Sequence, residues 1–428
     1  MVLPLLASLA LTLTVDDLKP GETVRYPLLL LHGATEGKAV LVGLGWKSVV
    51  RFPAGDGKYA AAVELKPGPN MVIVTSGRET VKVAVTYKPM TTPYRVRAVY
   101  LLAADEAADA PRYREKLDLA LKMIQSVAAE SMREAGYGRK TFALETGPDG
   151  KVVVHLIRSE STGEELRSLD GLALYNRMTP FVEKAFPFDL NKNLGVMAFS
   201  RWDPRAKKGL AHTALGGGGF GLFGGSPMWS WPSSVEAIPT VFADARPVDT
   251  SVDMDDSGLR GTRWATTATT LGAMLHEMGH TFGLPHSADP RSLMSRGFDQ
   301  FNRRFAAYEP PTLNGFGDRA VTPAEASHWD PFEAARLSLH PWFQPDGDKG
   351  ARFPAALPPR VTFEDGDVVV SAPYGLGLVG AVREGKPGVF REFKGEKTAR
   401  LKRSELGEGE ASLIAVDRMG NQADVALP

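Results

Sequence analysis

Between residues 16 and 92 the chain alternates short apolar runs with turn clusters. The runs are 26–31, 38–44, 59–65, 71–75 and 81–87, and Lys19-Pro20-Gly21, residues 53–57 and residues 66–70 separate them. Strand-length runs punctuated in this way predict a small β-sandwich-like domain. Lys88-Pro89-Met90-Thr91-Thr92-Pro93 reads as a linker. From residue 96 the period changes. Residues 96–102 form an apolar strand pattern. Residues 112–134 place Leu117, Leu119, Ala120, Leu121, Ile124 and Val127 at helical spacing, with Gly136 as the stop. Strands are expected at 141–144, 152–157 and 194–200, and a helix at 172–185. After Pro341-Trp342 a Pro- and Gly-rich bridge, 344–359, leads to strand patterns at 361–363, 368–371 and 412–416. The expected fold class is therefore multidomain α+β: a β-sandwich-like domain over 16–92, a mixed domain over 93–345, and a small β domain over 346–428.

Composition narrows the chemistry. The 428 residues carry 50 Lys+Arg against 50 Asp+Glu, so there is no net charge to gather nucleic acid or an acidic membrane. There is no cysteine, which excludes disulfides, thiol nucleophiles and Cys-ligated metal. Any metal must be held by His, Asp or Glu, and there are eight histidines. No apolar run is long enough to span a bilayer. Residues 2–15 are apolar and uncharged, and two readings stand. They form a signal-peptide core with Ser8 and Ala10 near a cleavage point, implying a secreted or periplasmic protein, or they form a first β-strand of a cytoplasmic one.

The informative segment is Leu275-His276-Glu277-Met278-Gly279-His280-Thr281-Phe282-Gly283-Leu284-Pro285-His286. Upstream, Trp264, Ala268, Leu271, Leu275, Met278 and Phe282 form one apolar helical stripe over 264–282. His276 and His280 stand one turn apart and can share one ion. Gly283 ends the helix where a positive φ is useful, and His286 can return as a third nitrogen. Three imidazoles with one open position are the pattern of a catalytic Zn²⁺ site. Glu277 is close enough to take a proton from water without being a ligand.

These residues match H-E-x-x-H-x-x-G-x-x-H in full, and the chain resembles the metzincin clan of zinc metallopeptidases. Ser292-Leu293-Met294-Ser295 looks like that clan's methionine turn beneath the metal. Within the clan the chain is similar to a poorly characterised family of zinc metallopeptidases, through Leu293-Met294-Ser295-Arg296, Phe301-Asn302-Arg303-Arg304-Phe305, the glycine-rich stretch 216–225 with Trp231-Pro232, and Arg336-Leu337-Ser338-Leu339-His340-Pro341. The resemblance implies a metzincin-like central domain: one Zn²⁺ on His276, His280 and His286, Glu277 as the catalytic residue, and a polypeptide substrate extended along a sheet edge near the glycines. It leaves the oxyanion donor unassigned, with Arg296 and Tyr308 as candidates. Two rival functions are a silent zinc protein that binds proteins or glycans through its β domains, and a zinc amidase acting on a non-protein substrate.

Other features have plainer readings. The stretch Leu215 to Gly225 is either a flexible loop or a glycine-rich strand approached by another backbone. Asp249, Asp253, Asp255 and Asp256 lack the spacing of a calcium loop and read as a solvated acidic loop. His32, His155, His328 and His340 read as structural, and His212 stays outside the site.

Overall fold

The computed structural model describes residues 13–45, 47–344 and 357–427. Strands β1 (Glu22–Val24), β2 (Leu28–Ala34), β3 (Ala39–Leu44), β4 (Lys47–Gly55), β5 (Lys58–Glu64), β6 (Gly68–Ser76) and β7 (Glu79–Tyr87) form one sheet, ordered β1-β7-β6-β3-β4-β5-β2. β1 runs parallel to β7 and every other pair is antiparallel. The sequence pattern misses β1, which has only three residues, and β4, whose Pro53 reads as a turn. In β4, Val50 and Phe52 face the core while Arg51 and Pro53 face solvent. The strand passes the ladder from β3, paired up to Pro53, to β5, paired from Ala54.

Of the apolar run 2–15, residues 2–12 lie outside the described residues. Leu13 is buried, and the amides of Thr14 and Asp16 donate to the Ala34 and His32 carbonyls at 3.0 and 2.8 Å. No helix among the described residues is long and apolar enough to cross a membrane.

The central region contains β8 (Arg95–Leu102), α1 (Tyr113–Glu134), β9 (Val154–Arg158), the one-turn α2 (Gly163–Arg167), α3 (Gly171–Ala185), β10 (Asn191–Met197), a small hairpin β11 (Arg201–Asp203) and β12 (Lys208–Leu210), then β13 (Ala214–Gly217) and β14 (Phe220–Gly224). The five-stranded sheet is ordered β13-β14-β10-β8-β9. Its strands are parallel except β13, an antiparallel edge. Both faces are covered, which is why residues 98–102 of β8 read as a continuous apolar run. Val96, Ala98 and Tyr100 pack in the same core as α1, while Val99 and Leu101 pack with Leu174, Met178 and Val182 of α3.

α1 is buried almost all round, and the core it shares with the five-stranded sheet also takes in the seven-stranded one. Its polar residues have partners: Lys122 bonds to Glu64 at 2.6 Å, and the Tyr26 hydroxyl donates to Glu130 at 2.6 Å. Residues 141–144 do not form the expected strand. Only Leu144 makes a bridge, to Val96. Phe142 turns into the core against Phe282 and Phe343, and its carbonyl accepts from Gln125 at 2.7 Å.

Short helix α4 (Ile238–Phe242) precedes the long α5 (Arg263–Thr281), which packs with α1 on the inner face of the five-stranded sheet. A 3-10 segment, Arg296–Arg304, crosses α5 at Gly272, where a β-carbon would stand 2.0 Å from the Phe298 carbonyl oxygen. A two-residue hairpin, β15 (Tyr308–Glu309) with β16 (Arg319–Ala320), follows, and then α6 (Pro331–Leu339).

The C-terminal strands are β17 (Arg360–Glu364), β18 (Asp367–Ser371), β19 (Leu376–Arg383), β20 (Lys386–Glu392), β21 (Thr398–Lys402), β22 (Ala411–Asp417) and β23 (Gln422–Leu427). They form a three-stranded sheet, β17-β18-β21, and a four-stranded one, β20-β19-β22-β23. Val368, Val370, Leu376, Val379 and Leu413 fill the space between these sheets. The opposite face of the four-stranded sheet, Leu378, Val382, Ile414 and Val416, packs on Phe332 and Ala335 of α6.

Candidate metal centre

The apolar stripe of α5 is completely buried, as its spacing requires, and this orients the neighbouring face with His276 and His280. The helix ends in a Schellman motif. Gly283 has φ 75°, its amide donates to the His280 carbonyl at 2.9 Å, and the Leu284 amide donates to the Gly279 carbonyl at 3.0 Å. The same reversal brings the Leu284 carbonyl to His280, whose Nδ1 lies 2.9 Å from it. His276 Nδ1 lies 2.7 Å from the Leu293 carbonyl.

A carbonyl only accepts, so each Nδ1 carries the proton and each Nε2 is left with a lone pair. The two Nε2 atoms lie 3.1 Å apart. Neither can donate to the other, and two lone pairs at that separation repel unless a cation lies between them. Two nitrogens ~2.0–2.1 Å from one tetrahedral zinc stand about 3.3 Å apart, so the spacing fits such an ion. His286 completes the group: one nitrogen from each of the three rings lies within 4.8 Å of the others. Burial first, and the neighbouring rings, hold His276 down to about 4, opposed by its bond to Leu293. Burial and His286 lower His280. Both rings are therefore neutral at neutral pH, the form in which an imidazole can bind a metal.

Glu277 is 7% exposed, and among the described residues its carboxylate accepts no hydrogen bond. Burial raises its pKa to about 7. The glycine-rich stretch forms the β13–β14 hairpin directly over it. A β-carbon on Gly216 would stand 2.2 Å from the Glu277 carbonyl oxygen, and one on Gly221 would touch the Glu277 side chain at 3.6 Å. The glycines thus admit the backbone of α5. The turn itself is tied down: the Tyr175 hydroxyl lies 3.0 and 3.1 Å from the Gly217 and Phe220 carbonyls, Lys192 donates to the Gly218 carbonyl at 2.7 Å, and the Asn193 amide donates to Gly219 at 2.8 Å. Of the two sequence readings of this stretch, the structure has the glycine-rich strand. Tyr175, Lys192 and Asn193 carry no sequence signal for this task, because their partners are main-chain carbonyls far along the chain.

Met294 is fully buried, with its sulfur against Gly279, between His276 and His280 on the helix. The Ser295 amide donates to the Ser292 carbonyl at 3.0 Å, and the Met294 amide to the Ser292 hydroxyl at 2.8 Å, which makes 292–295 a tight turn. Arg296 lies over the Phe298 ring at 4.8 Å and is paired with Asp299 at 2.7 Å. The Phe298 ring meets His276 edge-on at 5.2 Å. Tyr308 lies on the β15–β16 hairpin, where its hydroxyl donates to Asp318. The remaining histidines have other partners: His32 is bound to Asp17 at 2.7 Å, His155 to Glu145 at 2.6 Å, His328 to Asp289 at 3.1 Å and His212 to Asp256 at 3.2 Å. His340 is half-buried and packs against Phe282, Trp342 and Phe343. In the acidic loop, Asp249 accepts from Ser251, and Asp255 accepts from the Ser257 amide.

The family model described as "Putative peptidase family" matches residues 12–372. The chain belongs to that family. A protein from Schizosaccharomyces pombe named "putative zinc metalloproteinase" is 27% identical over 377 residues, covering 78% of this chain and 60% of its own length. A Saccharomyces cerevisiae protein with the same description is 26% identical over 380 residues, covering 76% and 54%. The chain thus spans little more than half the length of the curated relatives it matches. Among solved structures, catalytically inactive OgpA from Akkermansia muciniphila, in complex with an O-glycopeptide substrate, is 17% identical. It covers 78% of this chain and 92% of its own, with a TM-score of 0.49. Archaemetzincin from Methanopyrus kandleri is 14% identical over 50% of this chain and 89% of its own, with a TM-score of 0.24.

Proposed function

We propose that this chain is a zinc-dependent endopeptidase of the metzincin type. His276, His280 and His286 hold one Zn²⁺, and Glu277 acts as general base and then as proton donor. The observation that carries this reading is the facing pair of proton-free Nε2 atoms, with the next residue of the helix, Glu277, buried and accepting no hydrogen bond among the described residues. When bound, zinc supplies Lewis-acid polarisation of a carbonyl and acidification of water. The residues of the chain do the rest. Leu293 and Leu284 hold the two ligand rings in one tautomer. Glu277, whose burial makes its carboxylate a stronger base than a solvated one, accepts the proton of the attacking water and returns it to the leaving amine. Met294 closes the floor beneath the ligands.

The substrate of this proposal is a polypeptide lying extended along β13, the antiparallel edge strand of the five-stranded sheet. The division into a β-sandwich-like domain over 16–92, a metzincin-like domain over 93–345 and a C-terminal β domain over 346–428 belongs to the same proposal. So does a secreted or periplasmic location, with cleavage near Ser8 to Ala10 that would leave Leu13 to Val15 in place along β2.

The test is hydrolysis of casein and a peptide library, with zinc content read by mass spectrometry. A chelator should stop hydrolysis. Glu277→Ala should stop it with zinc retained, and His286→Ala should lose the zinc. Unchanged hydrolysis by Glu277→Ala overturns the mechanism.

A further inference from the structure

Neither of the two segments that complete the candidate site after α5 has regular secondary structure of its own. These are the return to His286 and the turn at Met294, and both are fastened to one place, the N-terminal turn of α6. Asp330 caps that helix: its side chain accepts from the Glu333 amide at 2.9 Å, and Glu333 accepts from the Asp330 amide at 2.8 Å, a reciprocal capping box. Each carboxylate also has a second task. Asp330 accepts from the hydroxyl of Ser287, the residue after His286. Glu333, fully buried, accepts from the hydroxyl of Ser292 with its two oxygens at 2.7 and 2.9 Å. The same Ser292 hydroxyl accepts the Met294 amide, and Leu293 between them presents the carbonyl that orients His276.

α6 is held from behind as well. Phe332 and Ala335 pack against Leu378, Ile414 and Val416 of the C-terminal sheet. Arg336 donates to Gln422 of β23 at 2.5 Å, and its guanidinium lies 2.8 Å from where a β-carbon of Gly283 would be.

We propose that α6 is the positioning element of the metal centre, with Glu333 and Asp330 as its positioning residues, and that the C-terminal β-sandwich serves to hold that helix in register. This rests on the zinc reading above. A hydrogen-bond partner behind a ligand sets how tightly the metal is held, commonly by 10–100-fold. Here the partner acts at one remove, through Ser292 and Leu293 on His276 and through Ser287 on His286.

The experiment measures zinc affinity of the full chain by competition with a chromophoric chelator, alongside melting temperature. Ser292→Ala and Glu333→Ala should each weaken zinc by about 10–100-fold. The double variant should weaken it no further than the worse single one. Glu333→Gln keeps an accepting oxygen and should bind close to wild type. Leu378→Ala with Ile414→Ala, far from any ligand, should weaken zinc in the same direction. A lower melting temperature with unchanged zinc affinity in these variants overturns the proposal. If Glu333→Ala does not fold, Ser292→Ala, which removes a single oxygen, decides alone. Failure of the zinc reading looks different: wild type and His286→Ala would then bind zinc equally.

Discussion

The sulfur of Met294 occupies the space where a side chain at Gly279 would begin, 2.2 Å from that position. The helix therefore carries a glycine between its two histidines because the turn below needs the room. Gly279→Ala should cost about 1–3 kcal/mol through overpacking. It should also weaken zinc, since the displaced turn carries the Leu293 carbonyl. Chemical denaturation with and without zinc would check both.

Gly216 makes the matching contact from above, on the Glu277 carbonyl. Gly216→Ala should push the edge strand off α5 and reduce kcat/KM by about 100-fold, the cost of a displacement near 1 Å. Zinc content should stay at wild-type level, because no ligand is touched. Steady-state kinetics and metal analysis separate the two effects.

The burial of Glu277 costs the metal-free fold stability. Burial raises its folded pKa to about 7, above the unfolded value of about 4.3. The folded chain then holds a proton that the unfolded chain has lost, so stability falls as pH rises from the lower value to the higher. Removing that penalty with Glu277→Gln should stabilise the metal-free protein by about 4 kcal/mol at pH 8 and by nothing at pH 4. Urea denaturation at the two pH values measures it. Zinc should erase the gain by favouring the carboxylate.

Arg304, with no exposed surface, meets Glu134 at the end of α1 through bonds of 2.6 and 2.8 Å. Burial alone would raise the Glu134 pKa, but Arg304 outweighs it and the net shift is downward. The pair thus contributes stability that is present above the unfolded pKa of about 4.3 and is lost as pH falls through the lower folded value. Glu134→Gln, leaving a buried cation short of its partner, should cost about 3 kcal/mol at pH 7. That cost should shrink towards zero on acidification, in thermal melts followed by circular dichroism.

Much of the candidate centre could be read from the chain before its fold was known, because it is local. A stripe from Trp264 to Phe282, two histidines one turn apart, a glycine and a third histidine all lie within one helix and its exit, where spacing alone dictates direction. What could not be read depends on contacts across the fold. Tyr175 pins the glycine turn through carbonyls more than forty positions away, and polar residues that bond to main chain leave no periodic trace. The strand expected at 141–144 fails because Phe142 is drawn into an aromatic cluster, a preference that alternation does not encode. The helix start with its capping box at Asp330 and Glu333 was not read from the sequence. Nor was its grip on Ser287 and Ser292.

α1 has its own sheet on one side and the seven-stranded sheet on the other, and the two share a single apolar core. A gene trimmed to start at residue 93 would strip one flank of that helix and strand Lys122 and Glu130 without Glu64 and Tyr26. Such a fragment would come out of expression as aggregate, so a shortened form of this protein must keep the seven-stranded sheet with α1.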